Sequence, residues 1–356
     1  MHFFVGVWDF MKLMIDQEID AEVIHHYDEN LMITSKCNVL TIKYKQEVKN
    51  IDLPLSSLKK MVSAFRLARR AARTDKSVFV PIYVDDNLSS LFGIYQNNFY
   101  KIDWPSMVVK KTGCFRQGRV PLHQGICQSE KGNLFVGEYS PNKMNISSAV
   151  WKSNDAGDSW DIVFEFPREK ARHIHGCFWD AFEKKVWVCT GDFEGECHIV
   201  CADEDFVNVE WLSQGSQKWR TVKLIFTKNY VYFGMDSPLT QSYICRVDRS
   251  NRKLELLTQV PGPVWYAKAL QDGWMLFACS VEEGPSVVDN YARIFATKDG
   301  IHIHNVFQVE KDNWPYLFKL GVISFATGEQ DISHFYIFSE ALKGLDGKVF
   351  QCHLNV

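Results

Sequence analysis

One hairpin near the middle of the chain constrains the fold more than any other stretch. Residues 148–166 read SAVWKSNDAGDSWDIVFEF, in which two alternating apolar runs flank the polar segment SNDAGDSW. Alternation with a period of two predicts strands, and Gly157 among short polar residues predicts a tight turn between them. Ser153 and Asp155 can exchange hydrogen bonds across the bend, and Trp160 can cover it from the following strand. The segment is therefore expected to be a β-hairpin.

The turn also matches a known motif. Its defining positions are Ser153, Asp155, Gly157, Ser159 and Trp160, which spell S-x-D-x-G-x-S-W. This pattern resembles the Asp box, or BNR repeat, of the sialidase-superfamily β-propellers, and it is more similar to uncharacterised members than to a defined glycosidase. In that family the box lies on the propeller rim, between the third and fourth strands of a blade. The resemblance thus implies a fold and a register, and it gives Asp155 a structural role.

A strand–turn–strand unit recurs along the chain at intervals of about 45 residues, which is the spacing typical of propeller blades. Its members are residues 120–139, 172–192, 220–236, 266–282 and 319–340, with a shorter first member at 77–109. A weaker Asp-box turn is found at Thr297, Asp299 and Gly300. The pattern predicts an all-β protein with a single β-propeller of about six four-stranded blades, or seven if residues 33–55 form another.

The first part of the chain is expected to differ from the rest. We interpret residues 1–76 as an N-terminal extension with a closing strand and a basic helix, and residues 77–356 as the propeller. The helix is predicted over residues 57–73, where Met61 and Phe65 share an apolar face and lysine and arginine side chains surround it. Contact with an anionic polymer or lipid headgroups is one interpretation of this helix. Packing against the propeller flank is the preferred one.

Charge and composition exclude several classes of partner and location. The net charge of −3 lacks the basic excess of a nucleic-acid-binding protein. No apolar run approaches the roughly 20 residues of a membrane span, and the first residues do not resemble a signal peptide. We therefore expect a cytoplasmic protein whose 10 cysteines are reduced. Cys197 and Cys201 lack a second ligand pair at zinc spacing, so we predict neither a metal nor another cofactor.

In a propeller the innermost strands and the loops around them converge on one mouth, where a ligand can contact several blades. The repeat places polar residues there, either before or within first strands or at the ends of second strands. The first group comprises Arg116, Arg119, Arg172, His173, Arg220, Trp265, Tyr266, His123 and His175. The second group comprises Glu138, Tyr139, Asp192, Asp236, Glu282 and Glu340.

A second resemblance concerns residues 118–140. Arg119–Val120–Pro121, followed by Gly132, Leu134 and Glu138, resembles the arginine-isoleucine-proline segment of sialidases, with Val in place of Ile. In that family the arginine belongs to a three-arginine cluster that binds the substrate carboxylate. The resemblance implies that Arg119 contacts the ligand together with Arg220 and either Arg172 or Arg293. It also implies a tyrosine nucleophile with a glutamate partner, for which the blade positions nominate Tyr266 and Glu138.

Residues 171–196 contain the most polar of the first strands. His173 and His175 are two positions apart and face the same side of a strand, and Asp192 ends the neighbouring strand. Three interpretations remain open. The residues can form a metal site of two histidines and a carboxylate, a proton-transfer histidine for β-elimination, or hydrogen-bonded structural histidines.

These patterns predict a carbohydrate-active protein that acts on an acidic oligosaccharide or polysaccharide at the propeller mouth, as a glycoside hydrolase or a polysaccharide lyase. The alternative is a non-catalytic propeller that binds a glycan or a protein. The predicted catalytic residues are Tyr266, Glu138, His175 and Asp192. The predicted substrate-binding residues are Arg119, His123, Arg172, His173, Arg220, Asp236 and Trp265. The sequence predicts neither the sugar, the linkage nor the oligomeric state.

Overall fold

The computed structural model describes residues 11–73, 76–118 and 120–356. These residues form seven four-stranded antiparallel sheets, which are the blades of a single β-propeller. The all-β propeller is thus as predicted, with the larger of the two expected blade numbers. First strands of neighbouring blades contact one another, so the first strand of each blade is the innermost.

The strand β1 (Lys12–Ile19) precedes the first blade, which comprises β2 (Val23–Tyr27), β3 (Leu31–Lys36), β4 (Val39–Tyr44) and β5 (Glu47–Asp52). The helices α1 (Ser57–Val62) and α2 (Arg66–Ala72) follow. The second blade comprises β6 (Ser77–Val84), β7 (Asn87–Tyr95), β8 (Asn98–Asp103) and β9 (Val109–Cys114). The third comprises β10 (Ile126–Gln128), β11 (Leu134–Gly137), β12 (Ser148–Ser153) and β13 (Asp161–Phe166).

The fourth blade comprises β14 (His173–Asp180), β15 (Lys185–Gly191), β16 (Ile199–Ala202) and β17 (Val209–Trp211). The fifth comprises β18 (Leu224–Phe226), β19 (Tyr230–Gly234), β20 (Ser242–Asp248) and β21 (Leu254–Val260). The sixth comprises β22 (Val264–Ala269), β23 (Met275–Cys279), β24 (Tyr291–Thr297) and β25 (His304–Glu310). The seventh comprises β26 (Val322–Phe325), β27 (Phe335–Glu340), β28 (Lys348–Asn355) and β1. Single 3₁₀ turns lie at Gln217–Trp219 and Tyr316–Phe318.

The N-terminal boundary of the propeller differs from the one expected at residue 77. Strands β2 to β5 form a complete blade, and β1 is the outermost strand of the seventh blade, where it pairs antiparallel with β28. The physical reason is that Leu31, Ile33 and Leu40 of the first blade are needed to cover Phe79 of the second. The described residues 12–52 therefore belong to the propeller, and between strands β5 and β6 the structure describes the two helices.

The hairpin of residues 148–166 forms the third and fourth strands of its blade, as predicted. Ser153 Oγ donates to Asp155 Oδ1 at 2.8 Å and accepts the Gly157 amide hydrogen bond at 2.8 Å. Gly157 has a φ of 87°, a conformation that favours glycine. Trp160 is half-buried rather than buried, because its indole lies at the junction with the second blade. The weaker box at Thr297 likewise lies between β24 and β25.

The apolar core is divided among the contacts between neighbouring blades. Phe79 and Leu91 are buried between the first and second blades, and Phe135 and Val188 between the third and fourth. Ile24 belongs to the cluster that joins the first blade to the seventh. Each blade thus buries both of its faces against its neighbours, which fixes the positions of the loops that surround the mouth.

The helix predicted over residues 57–73 is divided into α1 and α2, and the predicted apolar face is not the packed one, because Met61 and Phe65 are exposed. Packing against the propeller, as expected, is made by arginines of α2. Arg70 of α2 is 1% exposed. It donates from Nη1 to Asp312 Oδ2 at 2.6 Å and from Nε to the Phe318 carbonyl at 2.7 Å. Arg69 forms a buried ion pair with Glu22.

Neither helix in the described part of the chain has the length and apolar character that a membrane-spanning segment needs. All ten cysteines lie among the described residues, and none forms a disulfide.

Candidate functional site

A cavity of about 740 Å³ lies at the mouth, where the inner strands begin. Ser77 and Val322, at the starts of β6 and β26, form part of its wall, and the end of helix α2 covers one side. Tyr139, which follows β11, and Glu340, the last residue of β27, also line the cavity. The cavity is therefore built from several blades and from the helix that precedes the second blade.

Aromatic and cationic side chains give this cavity its chemistry. The aromatic residues of its wall include Tyr139, Trp265, Tyr266 and Tyr316, and the cationic residues include Arg73, Lys76 and Lys319. Glu340 Oε1 accepts hydrogen bonds from Lys76 at 2.7 Å and from Lys319 at 3.0 Å. Burial opposes ionisation of this carboxyl, but the charges of the two lysines hold the pKa of Glu340 well below its usual range. Since Glu340 carries one negative charge and Lys76, Lys319 and Arg73 carry three positive charges, the charged residues of the cavity wall have an excess of positive charge.

A cluster of titratable side chains lies beside this cavity, in the fourth blade. His173 begins β14 and His175 follows on the same face, while Asp192 comes directly after β15, which pairs with β14. Nε2 of His173 lies 3.4 Å from Asp192 Oδ1, and Nε2 of His175 lies 3.2 Å from the same oxygen. Both histidines are buried, whereas Asp192 retains 27% exposure of its side chain. The carboxylate is thus the solvent-facing member of the cluster.

Hydrogen bonds at Nδ1 show where both histidine rings carry a hydrogen atom. Nδ1 of His173 lies 2.7 Å from the Ser140 carbonyl oxygen, and Nδ1 of His175 lies 2.8 Å from the Thr221 carbonyl oxygen. A carbonyl oxygen only accepts, so both Nδ1 atoms carry hydrogen. A neutral ring then presents the lone pair of Nε2 to the Asp192 oxygen. The two Nε2 lone pairs and the negatively charged Asp192 Oδ1 repel one another. Their close approach therefore requires either protons on the Nε2 atoms or a cation between the three atoms.

Two arginines flank the carboxylate. Arg220 Nη2 lies 3.1 Å from Asp192 Oδ1, and Arg220 Nε lies 3.2 Å from Asp236 Oδ2. Arg172 Nη1 is 3.8 Å from Asp192 Oδ2, and its guanidinium lies over the ring of Phe193 at 4.9 Å. Asp192 therefore sits among four nitrogen-bearing side chains, two of which are guanidinium groups.

The surroundings shift the carboxyl pKa values in opposite directions. Burial would raise the pKa of Asp192, but its close contacts with the side chains of His173 and His175 hold it well below its usual range. Burial, together with the charge of Glu282, raises the pKa of Asp236 to about 7, although Arg220 opposes the shift. Burial also raises the pKa of Glu282. Asp192 is therefore the ionised carboxylate at neutral pH, and Asp236 keeps its proton to a higher pH than an ordinary aspartate.

Tyr139 connects the cavity to this cluster. It lines the cavity, and its ring centroid lies 4.6 Å from that of His173 and 6.3 Å from that of His175. Burial and the charges of Asp192 and Asp236 raise the pKa of Tyr139. Tyr139 is therefore the side chain that belongs both to the cavity wall and to the surroundings of the cluster.

The structure distributes the predicted site residues among three places. Arg172, His173, His175, Asp192, Arg220 and Asp236 form the cluster, while His123, Trp265 and Tyr266 line the cavity. Glu138 is in a third place, buried at 1% exposure in a network with Arg116 and Trp151. Arg119 lies outside the described residues. Tyr266 accepts a hydrogen bond from the His123 amide at 3.3 Å, and burial with the charge of Glu340 raises its pKa.

Three cationic residues of the cavity were missed by the sequence interpretation. Arg73 and Lys76 lie between the helices and the second blade, and Lys319 precedes the first strand of the seventh blade. Their positions beside inner strands were the available signal. Lys319 begins the predicted repeat at residues 319–340, so its signal was present in the sequence. For Arg73 and Lys76 the signal depended on knowing that β2 to β5 form a blade.

No family model and no curated protein matches this chain. Solved structures show the fold. An oligogalacturonate lyase from Vibrio parahaemolyticus superposes with a TM-score of 0.54 and 9% identity, over 96% of each chain. A prolyl endopeptidase gives a TM-score of 0.50 and 10% identity over 98% of this chain and 50% of its own. At such identities the likeness establishes a β-propeller, and membership of the sialidase superfamily stays a prediction.

Proposed function

We propose that this propeller binds an acidic glycan in the mouth cavity and cleaves it beside Asp192 by β-elimination. The observation that carries the proposal is the position of Tyr139, which lines the cavity and packs against His173. A sugar bound in the cavity therefore lies next to a charged cluster. An acidic glycan is thus both the proposed substrate and the proposed partner.

The cavity wall supports the choice of ligand. Ring faces such as those of Trp265 and Tyr316 suit the apolar faces of sugar rings, and Arg73 with the lysine pair suits sugar carboxylates. His123 adds a neutral imidazole, because burial lowers its pKa to about 3. Its Nε2 is buried and has no hydrogen-bond partner among the described residues.

The cluster supports the choice of reaction. Elimination from a uronic acid breaks the C5–H and C4–O bonds and forms a C4–C5 double bond, and it requires neutralisation of the adjacent carboxylate. Arg172 and Arg220, which lie beside Asp192, provide positive charge for that carboxylate. In the ionised form, the Tyr139 hydroxyl takes the C5 proton and returns it to the leaving oxygen.

Hydrolysis through a tyrosine nucleophile is less well supported. A nucleophilic tyrosine needs a lowered pKa or an adjacent base. Burial raises the pKa of Tyr266 as it does that of Tyr139, so ionisation does not distinguish the two mechanisms. The Tyr266 hydroxyl accepts a hydrogen bond from the His123 backbone amide. The second predicted partner, Glu138, already accepts hydrogen bonds from Arg116, Trp151 and the Ala149 amide. These contacts favour elimination over sialidase-type hydrolysis.

The test is product analysis with purified protein. Polygalacturonate, alginate, hyaluronan and a sialylated glycan are incubated separately, and reducing ends and the ultraviolet absorbance of unsaturated uronates are followed together. Elimination produces both signals from a uronate polymer. Reducing ends without absorbance would indicate a hydrolase, and saturable binding without either signal would indicate a non-catalytic glycan-binding propeller. Neither binding nor products with any acidic glycan would reject the proposal.

A further inference from the structure

We propose that His173, His175 and Asp192 form a binding site for one divalent transition-metal ion. The three candidate donor atoms, which are the two Nε2 atoms and a carboxylate oxygen, all lie within 4.8 Å of one another. Both histidines come from one strand and the aspartate from the end of its hydrogen-bonded neighbour. The site is therefore built on paired strands, which hold its donors in a fixed arrangement.

The distances fit a shared ion. Two donors that are each about 2.1 Å from one ion, at an angle of about 100°, are separated by about 3.2 Å. The observed separations from Asp192 Oδ1 are 3.2 Å to Nε2 of His175 and 3.4 Å to Nε2 of His173. The separations of the carboxylate oxygen from the two imidazole nitrogens therefore match those of donors that share one ion.

The tautomers of His173 and His175 also suit metal binding. Ligating histidines typically donate their second ring N–H to a carbonyl or carboxylate, which orients the ring and leaves the other nitrogen free to bind metal. His173 and His175 both show this arrangement, with carbonyl oxygens of Ser140 and Thr221 as acceptors. Nε2 of His173 is buried and has no hydrogen-bond partner among the described residues. The direction of this atom towards Asp192 is explained by a cation between them.

Arg220 does not prevent coordination. Its Nη2 lies 3.1 Å from Asp192 Oδ1, but a carboxylate oxygen carries two lone pairs and can accept a hydrogen bond while binding an ion. Arg220 is also held by Asp236 at 3.2 Å and by the main-chain oxygen of Asp192 at 3.0 Å. Its position is therefore secured by groups other than the proposed metal ligand.

The donor set selects the kind of ion. Two imidazoles and one carboxylate suit borderline ions such as Zn²⁺ and Mn²⁺, and they provide three protein ligands, so positions remain for water or a substrate oxygen. The metal-binding proposal does not depend on the proposed function. We infer in addition that the open coordination position receives the substrate carboxylate, and this part rests on the proposed function.

The experiment measures metal binding without any glycan. The purified chain is treated with a chelator, dialysed, and titrated calorimetrically with ZnCl₂ and with MnCl₂ at pH 7.5, roughly one unit above the ordinary histidine pKa. We expect a single saturable site for at least one ion. His173→Gln and Asp192→Asn should each weaken binding by at least about tenfold.

His198→Gln is the matched control. His198 is a buried histidine of the same blade, and its ring nitrogens face the carbonyl oxygens of Ser213 and Gly195. This variant should keep the wild-type affinity. Circular dichroism establishes that each variant is folded, and if one is not, the visible spectrum of Co²⁺ bound to the wild type reports whether imidazole nitrogens coordinate.

Three results would each overturn the metal site. The first is no saturable binding of either ion by the wild type, and the second is unchanged affinity in folded His173→Gln and Asp192→Asn variants. The third is a Co²⁺ spectrum without nitrogen coordination. Elimination by metal-free protein would leave the proposed function intact and remove the ion from it. Metal binding without glycan cleavage would leave the site intact and reject the function.

Discussion

Trp160 packs its indole against the ring of Phe92, with ring centroids 4.5 Å apart, although the two residues belong to different blades. The indole also donates a hydrogen bond to the Gly157 carbonyl at 3.2 Å. The Asp-box turn of the third blade is thereby attached to the second blade. Its role includes a contact between blades in addition to the bend within one hairpin.

Trp160→Ala should lower the free energy of unfolding by about 2–3 kcal/mol, below the roughly 3–5 kcal/mol of a fully buried tryptophan, because the side chain is half-buried. Chemical denaturation measures the change. Leu239→Ala is the control, since Leu239 is 48% exposed and should alter stability by less than about 0.5 kcal/mol. Equal stability of wild type and Trp160→Ala would show that the turn does not hold the blades together.

Tyr139→Phe should reduce the rate of glycan elimination by at least about 100-fold while the dissociation constant changes little, because the ring remains and the proton-transfer hydroxyl is lost. Wild-type activity should increase with pH through the alkaline range, since burial and two neighbouring carboxylates raise the pKa of Tyr139. Tyr316→Phe, which alters another tyrosine of the same cavity, should keep the wild-type rate. Full activity of Tyr139→Phe would assign proton transfer to another group.

Asp236 should make the protein less stable as pH rises. Its carboxyl has a pKa of about 7 in the folded protein and about 3.9 when unfolded, so the folded state binds the proton more tightly. The group's contribution is present at pH 4 and is lost as pH rises to about 7. In Asp236→Asn this part of the pH dependence should disappear, as measured by denaturation between pH 4 and 8.

The control for this pH dependence is Asp205→Asn, because the Asp205 side chain is 76% exposed and should leave the stability profile of the wild type unchanged. Identical profiles for wild type and Asp236→Asn would place the folded pKa of Asp236 near its ordinary value.

The cysteines test the proposed cytoplasmic location. Protein isolated from its native cells and denatured with an alkylating reagent, without prior reduction, should show all ten thiols modified by mass spectrometry. Most of these thiols are buried, and burial raises their pKa values, as at Cys177 and Cys352. They should therefore resist alkylation before denaturation. Recovery of native disulfides would instead indicate an exported protein.

The repeat pattern predicted much of the site because second strands end at equivalent places in successive blades. Asp192, Asp236 and Glu340 were nominated by that register alone, and the structure places them at the mouth or in the adjoining cluster. The tautomers of His173 and His175 were not predictable, because their carbonyl partners come from other segments of the chain.

The role of Glu138 was also beyond the reach of the repeat pattern. Its position at a second-strand end is the same as that of Asp192, but the side chain is taken up by Arg116 and Trp151. Glu138 and Asp192 hold equivalent positions in the repeat, but only Glu138 is hydrogen-bonded within its own network. This difference depends on the side chains that pack around each carboxylate, and the repeat pattern does not contain those contacts.

Closure of the ring by β1 and β28 has a consequence for how the protein is made. The partner of β1 follows the strands of the other six blades in chain order, so β1 must stay unpaired while those strands are synthesised. During that interval the edge of β1 can pair with the β28 strand of another copy. The same arrangement means that new termini placed in an exposed turn, with Lys12 and Asn355 joined by a linker, would make the pairing of β1 with β28 local in the sequence.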